Sequence, residues 1–198
     1  MNKIETTTTN QQPIGQYRPN LCFYRANPKG TGAAIKMNLH PAHDNVDGCI
    51  MLTIANQQTI GERQKGIFPT FDWEHAITIK LDFHDLACFL QVFRGEQESI
   101  NDDKGLYHRS LTGSTSIRLR HLLDPIAGYS LDVVRVGGKE KNDTVRAHFL
   151  FDSAEAYGIC EAITGSLCFI AFGVPMLVPH DTSAYRAASK GRCHAFVA

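Results

Sequence analysis

The stretches Ile77–Gly95, ITIKLDFHDLACFLQVFRG, and Arg146–Gly173, RAHFLFDSAEAYGICEAITGSLCFIAFG, share one plan, and their reading decides the fold. In the first, Ile77, Ile79 and Leu81 alternate with Thr78, Lys80 and Asp82, the period of a strand with one buried face. The apolar spacing then becomes helical through Leu86, Phe89, Leu90 and Phe93. Asp82 or His84 stands where an N-cap belongs, and Gly95 where a helix-ending glycine belongs. In the second stretch Asp152-Ser153-Ala154-Glu155 has capping-box spacing, and the apolar run behind it stops at Phe172, before Gly173 and Pro175.

Outward from these joints, Ile35, Met37 and Leu39 alternate with polar neighbours until Pro41, and Ile50, Leu52 and Ile54 share one face of a strand over Cys49–Asn56. Gly66–Trp73 is predicted as a third, less regular strand before Ile77–Leu81. The second half repeats the order with strands over Gly105–Ser110, Ser116–Leu122, Tyr129–Val136 and Thr144–Phe151. The chain is therefore predicted as an α+β protein of tandem ββββα units, about residues 29–95 and 105–173, within one domain spanning 21–175. The Thr-, Asn- and Gln-rich residues 1–20 are expected to form a flexible arm, and 176–198 a tail.

Composition narrows the function. The 198 residues include 20 Lys and Arg against 20 Asp and Glu, for a formal net charge of zero, so any nucleic-acid site must be a local patch. Apolar runs such as Leu167–Ala171 fall short of the ~20 residues that cross a bilayer, and residues 1–20 resemble neither a signal nor a transit peptide. The six cysteines show no CxxC and no framework spacing. A cytoplasmic protein with reduced thiols and no membrane partner is expected, nucleoid-associated if the source is prokaryotic.

No catalytic constellation emerges. GxSxG, a Walker lysine loop and GxGxxG are all missing, and the glycine-rich Pro28–Ala34 precedes a strand where a phosphate loop would precede a helix. His40, His43, Asp44 and Cys49 can be drawn as a metal site, but Pro41 marks a turn in which polar residues are expected anyway. Neither enzymatic activity, nor a metal, nor a cofactor is expected.

The basic residues fall more usefully. Arg118 and Arg120 share one face of a strand opposite Ile117 and Leu119, Lys36 and Lys80 alternate with apolar neighbours, and Lys29, Arg63 and Lys65 lie in loops beside strands. Taken singly, each is an ordinary solvent-facing charge; together they form a surface able to track phosphates. Bases of a single strand also need aromatic platforms, for which Phe23, Tyr24, Phe68, Phe71, Trp73 and Tyr107 are candidates. Trp73, the only tryptophan, reads first as filling a gap beneath the sheet.

The chain resembles the Whirly family of single-stranded DNA-binding proteins over about residues 24–175. NPKGTGAAIKM, Asn27–Met37, is similar to that family's lysine-glycine-lysine-alanine-alanine segment, of which Lys29 alone carries over. FDWEHAITIKLDFHDLACFLQVF, Phe71–Phe93, is similar to its tyrosine-aspartate-tryptophan strand leading into the first helix. The resemblance implies two four-stranded antiparallel sheets, each followed by a helix, and a homotetramer joined through helices. It also implies sequence-tolerant binding of single-stranded DNA by base stacking and phosphate contacts. The expected contact residues are Lys29, Lys36, Phe68, Phe71, Lys80, Tyr107, Arg118 and Arg120. The alternatives are an RNA-binding or RNA-annealing protein on a related fold, and an oligomeric interaction module without nucleic acid.

Overall fold

A computed structural model describes residues 20–43, 45–111, 113–123, 127–137 and 143–173; the expected N-terminal arm and C-terminal tail lie outside the described residues. Strands β1 (Leu21–Arg25), β2 (Ala33–His40), β3 (Cys49–Asn56) and β4 (Ile77–Leu81) precede helix α1 (Phe83–Phe93). Strands β5 (Leu106–Ser110), β6 (Gly113–Leu122), β7 (Gly128–Val136) and β8 (Thr144–Phe151) precede helix α2 (Ser153–Phe172). Each quartet is an antiparallel meander in chain order, so the tandem ββββα reading holds.

One element of the first unit differs from expectation. Gly66–Trp73 is not a strand: it follows a 3-10 turn at Arg63–Lys65, Gly66 takes φ +68°, and only isolated bridges at Glu62–Ile67 and Gln57–Phe71 form. Pro69 has no N–H to give a ladder, and the loop is instead closed by Thr59 and Thr70, whose hydroxyls lie 2.8 Å apart. The fourth strand is supplied by Leu21–Arg25, which pairs along β2, so the first unit begins at Leu21 instead of near residue 29.

Both helix starts are fixed by reciprocal capping boxes. Asp82 accepts from the Asp85 amide at 3.0 Å and Asp85 from the Asp82 amide at 3.1 Å; Asp152 and Glu155 repeat the exchange on α2 at 2.8 and 3.2 Å. Asp85 also lies 3.0 Å from His108 Nε2 of β5, tying the first helix to the second sheet. Arg25 of β1 reaches Glu155 at 2.5 Å and lies over the Phe149 ring, stapling the first strand to the second helix.

The inward faces of both sheets and the two helices enclose one continuous core. Phe93 is its aromatic hub, edge-on to Phe89, Tyr129 and Phe151, and its carbonyl accepts the Tyr129 hydroxyl at 3.1 Å. Helix α2 is long and apolar enough, by length and composition alone, to cross a bilayer, which the short apolar runs did not foretell. One stripe of it, Ala156, Ile159, Cys160, Ile163 and Ile170, is buried in this core, while Tyr157 and Phe172 stand exposed. The five described cysteines, Cys22, Cys49, Cys88, Cys160 and Cys168, are free thiols.

Candidate nucleic-acid interface

Strand period and register decide what each sheet shows to solvent. On the first sheet Ile35, Leu52 and Ile79 point inward, so the outer face carries the cross-strand rows Tyr24–Ala34–Ala55, Cys22–Lys36–Thr53–Thr78 and Asn38–Met51–Lys80. The loop before β4 folds over this face. Trp73 sits with its ring 5.5 Å from the Lys36 ammonium, and Phe71 leans on Tyr24 at 5.6 Å between centroids. Trp73 is 39% exposed and Tyr24 55% exposed, so the tryptophan stands above the sheet and not beneath it. The cause is local: Asp72 accepts from the His75 amide at 3.1 Å and from its ring at 2.9 Å, a turn that carries Trp73 outward.

On the second sheet the outer rows are Tyr107–Ser116–Val134–Arg146, Arg118–Asp132–His148 and Arg120–Ser130–Leu150. Tyr107 and Arg118 are exposed. Arg120 is not a free cation: its guanidinium donates to Asp132 at 3.2 Å and lies 3.5 Å from Asp103. Asp132 also accepts from Ser130 at 3.1 Å and contacts His148 Nδ1 at 2.8 Å. Burial works to raise the Asp132 carboxyl, but the bonds from His148 and Arg120, with the charge of His148 and the Ser130 hydroxyl, hold it below the usual carboxylate range.

This sets the sign of a pH effect. A carboxyl lowered in the folded state contributes stability above its unfolded value, about 3.9, which is lost as the pH falls through the folded value. Melting temperature should therefore drop on acidification below about pH 4, and Asp132→Asn should shrink that drop when melts are compared across this range.

The remaining expected residues lie at the rim. Lys29 is exposed in the β1–β2 turn, where Asn27 Oδ1 accepts the Lys29 and Thr31 amides at 3.0 and 3.1 Å. Phe68 is 82% exposed and helps line an open cavity of about 570 Å³ with Ile60, Ile67, Pro28 and Gln57. Gln57, nearly buried, holds the rim together. It accepts the Asn27 and Gly32 amides at 2.9 and 3.2 Å and donates to the Asn27 and Thr59 carbonyls at 3.1 and 3.0 Å. A Cβ at Gly32 would meet the Arg25 carbonyl at 2.0 Å, so only glycine permits this closeness. Gln57→Leu leaves these groups unpaired and should cost about 2–4 kcal/mol, read as a lowered denaturation midpoint.

Of the expected contacts, Lys36, Phe71 and Lys80 share the first face, and Tyr107, Arg118 and Arg120 the second. Lys29 and Phe68 flank them. Tyr24 and Trp73 prove to be part of the first face, and Arg146 and His148, which alternate with buried Ala147, Phe149 and Phe151, part of the second. No group of three His, Cys, Asp or Glu able to hold a metal occurs among the described residues.

No protein-family model and no curated protein sequence matches the chain. Solved structures do. WHY1 from Arabidopsis thaliana superposes with TM-score 0.63 at 14% identity, covering 92% of this chain and 98% of that one. The chain has the Whirly fold. The plant transcriptional regulator PBF-2 shares it, with TM-score 0.60 at 12% identity over 91% of each chain. MRP1/MRP2 of Trypanosoma bruciei is similar with TM-score 0.53 at 16% identity, covering 78% of this chain and 86% of that one. The sequence resemblance and the Whirly architecture thus agree on two meander sheets, each followed by a helix.

Proposed function

We propose that the protein binds single-stranded DNA with little sequence preference, stacking bases on outer-face aromatics and gripping phosphates with the interleaved cations. The observation that carries this reading is the first outer face, where Tyr24, Phe71 and Trp73 stand beside Lys36 and Lys80. Rigid antiparallel sheets with stacking residues read little of the base edges, which fits tolerance of sequence. The Whirly fold supports the reading, as does the resemblance of Phe71–Phe93 to that family's strand-to-helix joint. The bound form is a cytoplasmic homotetramer in this proposal, needing no cofactor and performing no catalysis. Exposed Tyr157 and Phe172 on α2, with Gly158 and Gly165 open to close approach, supply the contact between copies.

The test is fluorescence anisotropy of labelled oligothymidylate about 30 nucleotides long, with unlabelled duplex and RNA as competitors at two salt concentrations. The expected result is tight binding, poorly competed by duplex and weakened by salt with a slope of about −0.7 per neutralised phosphate. Equal competition by RNA would move the reading to an RNA-binding protein; no binding at low salt would leave an interaction module. Arg118→Ala should weaken binding about tenfold and cut the salt slope by about 0.7. Arg120→Ala should cost less, because its guanidinium is already engaged by Asp132.

A further inference from the structure

The edge of the second sheet is interrupted at one place. Glu98–Ile100 and β5 both run along the same side of β6. The Ile100 amide donates to the Leu119 carbonyl at 3.1 Å, the His121 amide to the Glu98 carbonyl at 2.7 Å, and Leu106 pairs with Ile117. Between these two segments Asn101–Gly105 leaves the ladder as a turn, with Asn101, Asp102 and Asp103 at φ +51°, +51° and +70°. Three successive side-chain-bearing residues in the left-handed region make a strained backbone, kept only where the surroundings impose it. Here the turn's own bonds do so. The Gly105 amide donates to the Ile100 carbonyl at 3.0 Å, the Lys104 amide to the Asn101 carbonyl at 3.1 Å, and the Asn101 side chain to the Gly105 carbonyl at 3.1 Å.

The strained turn delivers the Asp103 carboxylate to the outer face, 3.5 Å from Nε of Arg120. This is attraction without a hydrogen bond. Nε is closed to solvent, and it is the one buried side-chain nitrogen or oxygen among the described residues that has no hydrogen-bond partner. The far end of the same guanidinium is bonded, Nη2 donating to Asp132 at 3.2 Å. Arg120 is therefore held in position by one carboxylate, while a second stands over a donor that it does not satisfy. A phosphate oxygen in its place would make the charge-assisted bond that Asp103 leaves unmade.

We propose that the Asn101–Gly105 turn is an internal phosphate mimic: Asp103 guards Arg120 in the free protein, and a phosphodiester of the incoming strand displaces it. This rests on the single-strand reading above. The exchange is balanced in charge, since one anion leaves the guanidinium as another arrives. Asp103 is more than half exposed and swings into water when displaced, where its charge is solvated and screened. The guarded arginine consequently adds little net affinity, and the turn keeps a bound strand exchangeable at this point of the second face.

The experiment measures affinity for the same oligothymidylate over a range of salt concentrations, together with thermal melts. Asparagine tolerates left-handed backbone, so Asp103→Asn removes the charge and keeps the turn. It should bind about three- to fivefold tighter than wild type at low salt, the scale of an exposed ion pair, with a salt slope steeper by up to about 0.7. Asp103→Gly, which suits φ +70° better still, should show the same gain. In an Arg120→Ala background Asp103→Asn should change affinity by less than about twofold, because the group it guards is gone. Asp102→Asn makes the same change of charge one residue away and should stay near wild type, and all of these variants should melt close to wild type. No tightening in either Asp103 variant, or an equal gain in the Arg120→Ala background, overturns the mimic while leaving single-strand binding intact. Absence of binding by both wild type and Asp103→Asn at low salt overturns both readings.

Discussion

Trp73→Ala should lower affinity for oligothymidylate about thirtyfold, and Tyr24→Ala by a similar factor, because each lost base–aromatic stack is worth about 1–3 kcal/mol. The two rings have separate supports: Tyr24 leans on Phe71, and Trp73 lies beside the Lys36 ammonium. They can thus receive separate bases, and the double substitution should approach the product of the single effects, about a thousandfold. Both are substantially exposed, so neither change should lower the denaturation midpoint by more than about 1 kcal/mol. Anisotropy titrations paired with thermal melts check both halves. Unchanged affinity in the double variant would remove stacking on the first face as the source of binding.

Phe93→Ala should have the largest effect on stability, a loss of about 3–5 kcal/mol. The ring is the meeting point of Phe89 from its own helix with Tyr129 and Phe151 from the second sheet, so its removal opens a cavity where the two halves of the chain join. For a protein of this length that loss corresponds to a fall in Tm of roughly 6–20 °C. Tyr129→Phe is the contrast to measure. It keeps the ring but strips the hydroxyl bonded to the Phe93 carbonyl, and should cost only about 1 kcal/mol.

The strand-to-helix joints are the most legible part of the fold. Asp82 and Asp152 cap their helices through side-chain bonds three residues long, so the signal is local and complete in the sequence. Strand β1 was not legible because LCFYR is only five residues and shows no apolar alternation: Phe23 meets Phe151 inside while Leu21 and Arg25 on the same side stay exposed. Gly66–Trp73 reads more like a strand by its aromatics, but Pro69 and left-handed Gly66 forbid a ladder there. The candidate site divides similarly. Period 2 places Lys36, Lys80, Arg118 and Arg120 outward, but only the paired carboxylate at Asp132 reveals that Arg120 is occupied. Trp73 rises above the sheet through a four-residue Asp72–His75 turn, which periodicity does not encode.

Within each sheet every described strand pairs only with strands next to it in sequence, so during synthesis the first meander and α1 can assemble before Gly105 has left the ribosome. That half is nevertheless incomplete. Phe93 waits for Tyr129 and Phe151, and Phe23 waits for Phe151, the last residue of the last strand. The nascent chain therefore carries an uncovered aromatic seam through most of its elongation, closed in one late step when Phe151 and the Arg25-stapled start of α2 arrive. Chaperone contact on stalled chains should concentrate in that interval and fall away once α2, whose Ile159, Ile163 and Ile170 complete the core, has emerged.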